Sequence, residues 1–292
     1  MQLYYPQLGL LAVILLLVAL LSACQPLTVL NSVVPAGAYS LESDIDYGSD
    51  ARQSMDLYLP ADGHYNEHVL VFVYGGAWDQ GSKEQFEFVG QAFARLGYIT
   101  LIPNYRLYPD AEFPAFVSDV AMAIGEMRNH LPKSCNLGSS IILAGHSAGA
   151  HTAALLAADN QYLNQNNAGD IEIAALLALS GPYDLPLDHE RVREKFGQVE
   201  GNEANPIALA TANMPPTLLI HGEADTVAEP AHAEKFQARL EELGVPVTMH
   251  LYSSTRHASV VASLASPLRF LTPVYADIQA YLEERELNQR CE

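Results

Sequence analysis

The segment between residues 141 and 158 constrains the fold more than any other part of the chain. Ile141 to Ala144 is an apolar run of strand length, followed by Gly-His-Ser-Ala-Gly at 145–149 and by an alanine-rich stretch. A strand that turns sharply into a helix is typical of a sheet whose strands are joined by helices. Small residues around Ser147 would let its hydroxyl stand clear of the sheet. The pentapeptide also occurs by chance, so its meaning depends on its surroundings.

Short apolar runs alternate with stretches that carry apolar residues at helical spacing, which is typical of an α/β sheet. Eight strands are predicted, at 41–47, 54–59, 69–74, 98–102, 141–144, 171–179, 217–220 and 245–252. Helices are expected near 86–96, 113–131, 230–243 and 274–286, and an alanine-rich helix is expected directly after the 145–149 turn. No internal repeat or interdomain linker interrupts the pattern. The irregular segment 181–214 has room only for a small insertion over an active site.

A nucleophilic serine would need a base and an anion to orient that base. After a G-x-S-x-G turn the partners follow in the order Ser, Asp or Glu, then His. Of the ten histidines, His257 stands in the loop between the last predicted strand and the last predicted helix, where a base could reach Ser147. His221 closes an earlier strand and is read as structural or loop-ordering.

The acidic partner is predicted to be Asp225. It lies four residues beyond the strand that ends at 220, at the same edge of the sheet as the serine. Glu223 is the first alternative candidate for the acidic partner, and Asp184 is the second.

Hydrolysis would also need backbone N–H donors for a developing oxyanion. Gly75, Gly76 and Ala77 follow the third predicted strand, and Ala148 follows the serine. Neither a G-x-G-x-x-G nor a P-loop pattern supports a phosphate-binding loop instead. No metal site is predicted, because the chain has no H-E-x-x-H and no C-x-x-C spacing.

The N-terminus carries an apolar run at 8–21 that ends in Leu-Ser-Ala-Cys at 21–24. Fourteen residues are short for a membrane span but suit a signal peptide, and the tetrad resembles a bacterial lipobox with Cys24 as the acylated residue. We therefore expect a lipoprotein signal peptide at 1–23, a tether at 24–40 and a catalytic domain at 41–292. Plain secretion and an uncleaved anchor or buried helix are the alternatives. The expected location is the bacterial envelope, either the outer membrane or the periplasmic side.

The net charge limits the classes of partner that this chain can bind. Fifteen Lys and Arg against 34 Asp and Glu give a formal charge of −19, which excludes nucleic acid and disfavours direct attraction to anionic lipid. In an oxidising compartment Cys135 and Cys291 could form a disulfide, with one buried and one exposed free thiol as the alternative.

Several motifs in this order resemble the α/β-hydrolase superfamily, in the esterase and lipase group related to hormone-sensitive lipase and to arylformamidase-like and bacterial feruloyl-esterase-like carboxylesterases. The matching segments are 74–78 (Tyr-Gly-Gly-Ala-Trp), 104–107 (Asn-Tyr-Arg-Leu), Pro109, 113–115 (Phe-Pro-Ala), 145–149, 180–184 (Ser-Gly-Pro-Tyr-Asp), 221–225 (His-Gly-Glu-Ala-Asp) and His257. The resemblance implies an α/β-hydrolase fold, with a mostly parallel eight-stranded sheet, helices on both faces and a minimal cap.

The resemblance also implies roles. Ser147, His257 and Asp225 would form a catalytic triad, Gly76, Ala77 and Ala148 would donate to the oxyanion, and Gly75 would shape the loop. Tyr74 stands where the family usually has a histidine that orders this loop. Tyr74 is also a candidate wall of a substrate pocket. Trp78 and Tyr183 are further candidate walls, or equally core residues. Arg106 and Asp119 are expected to form a structural ion pair.

The sequence thus predicts a serine carboxylesterase for short-to-medium acyl esters, with no cofactor and with membrane contact only through the N-terminal lipid. An arylformamidase or amidase with the same triad, or a non-catalytic envelope binding protein on a hydrolase fold, is the alternative.

Overall fold

The computed structural model describes residues 30–291, apart from 33, 36, 134, 135, 188, 198, 200 and 201. The predicted signal peptide, Cys24 and Cys135 therefore lie outside the described residues. Cys291 is disulfide-bonded. No helix among the described residues is long and apolar enough to cross a bilayer.

Eight strands form one sheet in the order β1-β2-β4-β3-β5-β6-β7-β8. They are β1 (Tyr39–Asp46), β2 (Ser54–Pro60), β3 (Val69–Val73), β4 (Thr100–Pro103), β5 (Ser140–His146), β6 (Glu172–Leu179), β7 (Thr217–Gly222) and β8 (Val247–Tyr252). Strand β2 runs antiparallel to both β1 and β4, and the neighbours from β4 through β8 pair in parallel. This mostly parallel sheet confirms the predicted α/β-hydrolase fold.

Helices connect the strands. In the described part of the chain they are α1 (Glu87–Ala94), α2 (Ala115–Met127), α3 (Ala148–Ala158), α4 (Gln161–Gln165), α5 (Glu190–Phe196), α6 (Pro206–Leu209), α7 (Ala231–Glu242), α8 (His257–Ala262) and α9 (Val274–Glu284), with 3-10 turns at Lys83–Phe86 and Ser266–Leu268. Among the described residues between β6 and β7, the helices are the two short ones α5 and α6, so this insertion is small. His257, predicted in a loop, is the first residue of α8.

The central strands are buried on both faces. Every residue of β3, Val-Leu-Val-Phe-Val at 69–73, is fully inaccessible. Because successive side chains of a strand point to opposite faces, such a strand needs helices packed above and below it. This is why the sequence shows continuous apolar runs here rather than an apolar and polar alternation.

The order of the strands in the sheet determines where a crevice forms. After β3 the chain adds β4 on one side and then β5 on the other, so the strand order switches direction between β3 and β5. In open α/β sheets a crevice forms outside the carboxyl ends of the strands at such a point. The loop at 75–81 follows β3 and Ser147 follows β5, so both meet at this crevice.

Asp119 and Arg106 form the predicted structural ion pair, which is confirmed. The fully buried Asp119 carboxylate accepts hydrogen bonds from the Arg106 main-chain N–H at 2.8 Å, from Arg106 Nη2 at 2.7 Å and from Gln53 Nε2 at 2.9 Å. This ion pair links the segment after β4 to helix α2.

We expect Asp119→Ala to lower the free energy of unfolding by about 3–5 kcal/mol, because it leaves buried donors without an acceptor. Urea denaturation followed by circular dichroism would measure the loss. Asp170→Ala is the matched control, since it removes an exposed carboxylate paired with Arg128 and should change stability little. Equal losses in the two variants would contradict a structural role specific to Asp119.

Candidate active site

Ser147 sits on a strained turn between β5 and α3. Its backbone has φ 56° and ψ −125°, a conformation that an L residue rarely adopts. The flanking glycines are required by space: a Cβ on Gly145 would lie 2.4 Å from the carbonyl oxygen of Gly149, and one on Gly149 would lie 2.0 Å from that of Val73. The G-x-S-x-G spacing therefore reflects backbone contacts that leave the serine exposed to the crevice.

Three side chains from distant parts of the sequence form one hydrogen-bonded chain at this turn. Ser147 Oγ donates to His257 Nε2 at 2.8 Å, and His257 Nδ1 donates to Asp225 Oδ2 at 2.7 Å. The three predicted residues are thus in contact, in the arrangement by which a base can take a proton from a hydroxyl. Glu223, the competing acid, is exposed, and Asp184 instead lies 3.3 Å from Lys235.

Asp225 is held in its ionised form by several donors. Oδ1 accepts from the main-chain N–H groups of Val227 at 2.9 Å and Ala228 at 3.1 Å. His221 Nε2 lies 3.3 Å from Oδ2 and donates to the carbonyl oxygen of Ala228 at 2.8 Å. Burial alone would raise the pKa of Asp225, but the hydrogen bonds from His221, His257 and Val227 outweigh it and lower the pKa well below its ordinary value.

This depressed pKa predicts a pH-dependent stability. Because the carboxyl of Asp225 ionises more readily in the folded than in the unfolded protein, its contribution is fully present above the unfolded pKa of about 4 and is lost as the pH falls through the folded pKa. We expect the free energy of unfolding to fall between about pH 4 and 2 more steeply in the parent than in Asp225→Asn. Denaturant titrations at several pH values would measure both slopes, and identical slopes would contradict the prediction.

His146, between Gly145 and Ser147, is a residue that the sequence reasoning did not single out. Its Nε2 donates to the main-chain carbonyl of His257 at 3.1 Å, and the two imidazole rings lie 4.7 Å apart. Burial, followed by the proximity of His257, lowers the pKa of His146 to about 3, so this ring is neutral at physiological pH. His146 therefore ties the start of α8 to the serine turn. The only sequence feature that could have pointed to His146 is its position inside the Gly-His-Ser-Ala-Gly pentapeptide.

The loop after β3 brings main-chain donors beside the serine. A Cβ on Gly75 would lie 2.8 Å from the Cβ of Ser147, so this backbone passes directly against the turn. Gly76, Ala77 and Trp78 have φ values of 135°, 50° and 61°, and the N–H groups of Asp79 and Gln80 both bond to the Gly76 carbonyl. In the described part of the chain, the N–H groups of Gly76, Ala77 and Ala148 donate no hydrogen bond. They are free to meet an oxyanion.

Tyr74 and Arg52 brace this loop. The Tyr74 ring stacks between Phe86 and Tyr105, at 5.4 and 4.7 Å, and its hydroxyl donates to Asn104 Oδ1 at 2.9 Å. Arg52 Nη2 donates to the Tyr74 hydroxyl at 2.9 Å and to the carbonyl oxygen of Gly81 at 2.8 Å. The loop is thus ordered although tyrosine replaces the expected histidine. Arg52 carried no sequence signal, because its partners lie far away in the chain.

A cavity of about 490 Å³ opens over the serine. Its walls are mostly apolar or amide side chains and main chain, contributed by Gly75, Gly76, Ala77, Gln80, Gly81, Gln85, Phe86, His146, Ser147, Val227, His257, Ala258 and Val261. Asp, Glu, Lys and Arg are absent from these described walls. The cavity therefore suits an uncharged, apolar molecule.

Tyr74, Trp78 and Tyr183 do not line this cavity, so the structure favours the core alternative over the pocket-wall role. Tyr74 lies beneath the loop, as described above. Trp78 packs edge-on against His151 and Phe196, at 5.1 and 4.8 Å. The third ring, that of Tyr183, is fully buried and stacks 4.6 Å from Phe236. All three are core residues, because these rings are covered by other aromatic side chains and not left open to the crevice.

The arrangement combines a hydroxyl, a base, an oriented carboxylate and free main-chain donors, which are the parts needed for acyl transfer. Over the described residues, no group of three or more His, Cys, Asp or Glu side chains is placed to hold a metal ion.

Comparison with known proteins shows which families and structures this chain resembles. The model of the BD-FAE family matches residues 55–240. A probable isoprenylcysteine alpha-carbonyl methylesterase of Arabidopsis thaliana is 31% identical, over 77% of this chain and 52% of that protein. Esterase LipQ of Mycobacterium tuberculosis is 27% identical, over 85% of this chain and 64% of LipQ. The chain spans only a little over half the length of the curated plant relatives it matches.

Solved structures share the fold. Esterase B of Lactobacillus rhamnosis superposes with a TM-score of 0.73 and 18% identity, covering 95% of this chain and 97% of that one. A truncated carbohydrate esterase from gut microbiota gives a TM-score of 0.71 and 21% identity, covering 86% and 99%. At these identities the likeness establishes the fold alone.

Proposed function

This chain belongs to the BD-FAE family, and from that membership we propose that it is a serine carboxylesterase acting on short-to-medium acyl esters. One observation carries the proposal: the unbroken hydrogen-bonded chain from Ser147 through His257 to Asp225, of which Ser147 and His257 line an uncharged cavity. The esterase names of the relatives LipQ and isoprenylcysteine methylesterase support it.

The proposed mechanism follows from the geometry. Ser147 Oγ attacks the ester carbonyl carbon while His257 Nε2 takes the hydroxyl proton, and Asp225 stabilises the resulting imidazolium. The negative oxygen of the tetrahedral intermediate accepts hydrogen bonds from the free loop and turn N–H groups. Collapse of the intermediate breaks the bond to the leaving alcohol, which receives the proton from His257. Water then attacks the acyl-serine by the same route, and the acid is released.

The size and lining of the cavity set the expected substrates. A volume of about 490 Å³ holds a small acyl group and a compact alcohol. With no charged side chain in the described walls, an anionic or cationic substituent would lose its hydration without a partner. We expect neutral esters, with the rate highest for short and medium chains.

A series of p-nitrophenyl esters from about two to sixteen carbons tests this, together with a phosphonate that labels active serines. The expected result is a rate that peaks at the short end and a single label on Ser147 found by peptide mass mapping. A strong preference for N-formyl-aryl amides over the matching esters would favour an arylformamidase or amidase. Absence of both turnover and label would favour a non-catalytic envelope binding protein.

The N-terminal pattern supports a proposal about location. In this proposal residues 1–23 are a signal peptide, Cys24 is acylated, 24–40 form the tether and 41–292 the hydrolase domain, on the bacterial envelope. Two or more acyl chains hold a protein on a membrane stably, whereas one does not. Cys24→Ala should abolish metabolic labelling with palmitate in the parent host. Continued labelling would contradict acylation at Cys24.

A further inference from the structure

The described N-terminal segment runs along α1 from one edge of the sheet to the other. Tyr39 pairs with Pro60 of β2, at the amino-terminal edge of the parallel strands. Just before it, Pro35 and Gly37 line a cavity together with Arg95, which follows the last residue of α1. Residues nearer the N-terminus therefore lie further towards the start of α1, which is the carboxyl edge of the sheet.

At the carboxyl edge of the sheet, hydrogen bonds and burial hold the N-terminal segment in place. Asn31 Nδ2 donates to the carbonyl oxygen of Glu84 at 2.5 Å, and Asn31 Oδ1 accepts from the N–H of Phe88 at 3.2 Å. Leu30 is only 9% exposed and belongs to the hydrophobic core. The chain thus has a fixed point at Leu30 and Asn31 before it leaves the described residues.

The fixed point adjoins the candidate active site. Its partners Glu84 and Phe88 bracket Gln85 and Phe86, and both of these line the cavity over Ser147. The residues that hold Asn31 are therefore immediate chain neighbours of two cavity-lining residues, and they lie at the carboxyl edge of the sheet.

From these contacts we infer that the mouth of the active-site cavity faces the membrane, so that the enzyme takes uncharged esters dissolved in the bilayer. The inference rests on acylation of Cys24, which is part of the proposed function. Cys24 and Leu30 are six Cα–Cα steps apart in the sequence, a reach of at most about 20 Å. A folded domain of this length is roughly 45 Å across, so the anchor cannot place the opposite edge against the lipid while the segment stays docked.

The cavity rim has the chemistry that such an orientation requires. Val227 lines the cavity and is 74% exposed, an apolar side chain at the opening. The described walls carry no Asp, Glu, Lys or Arg, although the whole chain has a formal charge of −19. Charge attraction to anionic lipid is therefore not what orients the protein. The length and docking of the tether determine which face meets the bilayer.

Contact quenching tests the orientation directly. A fluorophore is attached at Val227→Cys, on the cavity rim, or at Glu242→Cys, at the end of α7 and next to the amino-terminal edge. The full acylated chain is reconstituted on vesicles that contain a headgroup nitroxide lipid, with labelled parent protein as the blank. We expect several-fold stronger quenching at position 227 than at 242. Equal quenching, or stronger quenching at 242, would overturn the inference, as would failure of the chain to attach.

A second variant tests the consequence for substrates. A flexible linker of about 20 residues between Gln25 and Pro26 adds roughly 25 Å of average reach, and the same linker after Glu292 is the control. We expect the N-terminal linker to lower the rate severalfold on a butyrate ester of a lipophilic fluorogenic alcohol held in the vesicles. The rate on water-soluble p-nitrophenyl acetate should not change. An unchanged vesicle rate would reject the inference, whereas no acetate turnover in the parent would instead reject the proposed esterase.

Discussion

Ser147→Ala should lower kcat on p-nitrophenyl butyrate by about 10⁴–10⁶-fold with little change in KM, because it removes the attacking atom and leaves the cavity walls in place. The residual rate would come from the oxyanion donors and the bound geometry. The small side chain suits the strained turn, so the variant should fold as the parent does. Steady-state kinetics with circular dichroism as a folding check would measure the effect.

Ser180→Ala is the matched control for this substitution. Ser180 is buried, follows the neighbouring strand β6 and also has a positive φ of 49°. Its Oγ has no hydrogen-bond partner in the described part of the chain. Removing this hydroxyl should leave kcat within about twofold, since substitutions away from functional contacts usually have small effects. Retention of more than a few per cent of activity in Ser147→Ala, or an equal loss in Ser180→Ala, would mean that the nucleophile is misassigned.

Asp225→Asn should lower kcat by roughly 10³–10⁴-fold, which is the second large effect expected. An asparagine at 225 can present its amide NH₂ to His257 Nδ1, and that nitrogen must then accept. The ring proton moves to Nε2, so the imidazole can no longer take the proton from Ser147. The loss should appear in kcat and not in KM, because Asp225 does not line the cavity.

Two other carboxylates provide control variants for this prediction. Asp184→Asn and Glu223→Gln change the competing acids, which lie outside the hydrogen-bonded chain. Both should retain near-parent kcat on the same ester. A larger loss in either one than in Asp225→Asn would transfer the orienting role to that residue. Loss of folded signal in Asp225→Asn would be recognised by thermal denaturation before any kinetic comparison.

The fold could be predicted because its signals are local. Continuous apolar runs such as 69–73 and 141–144 indicate strands that are buried on both faces, and the alternation with helical spacing indicates a parallel sheet. One boundary differs: the sequence predicts the fourth strand at 98–102, and the strand begins at Thr100. The N–H of Tyr98 still bonds back to the Phe93 carbonyl at the end of α1, which delays the extended conformation.

In the candidate site, too, residues with a local sequence signal were predicted and residues without one were missed. Ser147, Asp225 and His257 were predicted from motif order, and the structure places them in contact, while their catalytic roles remain the proposal made above. Arg52 and His146 were missed as supports. Their effect depends on atoms brought close only by folding, such as the Tyr74 hydroxyl and the His257 carbonyl.

Sequence reasoning was sufficient for the order of strands and helices along the chain, the sharp turn at Ser147 and the identity of the residues at the carboxyl edge of the sheet. These follow from periodicity and from backbone requirements that are felt within a few residues. The folded arrangement was needed to tell which aromatic rings are core and which side chains face the cavity. It also decided where the N-terminal segment docks. An apolar side chain has the same sequence signature whether a neighbouring ring or a substrate covers it, because burial depends on residues distant in the chain.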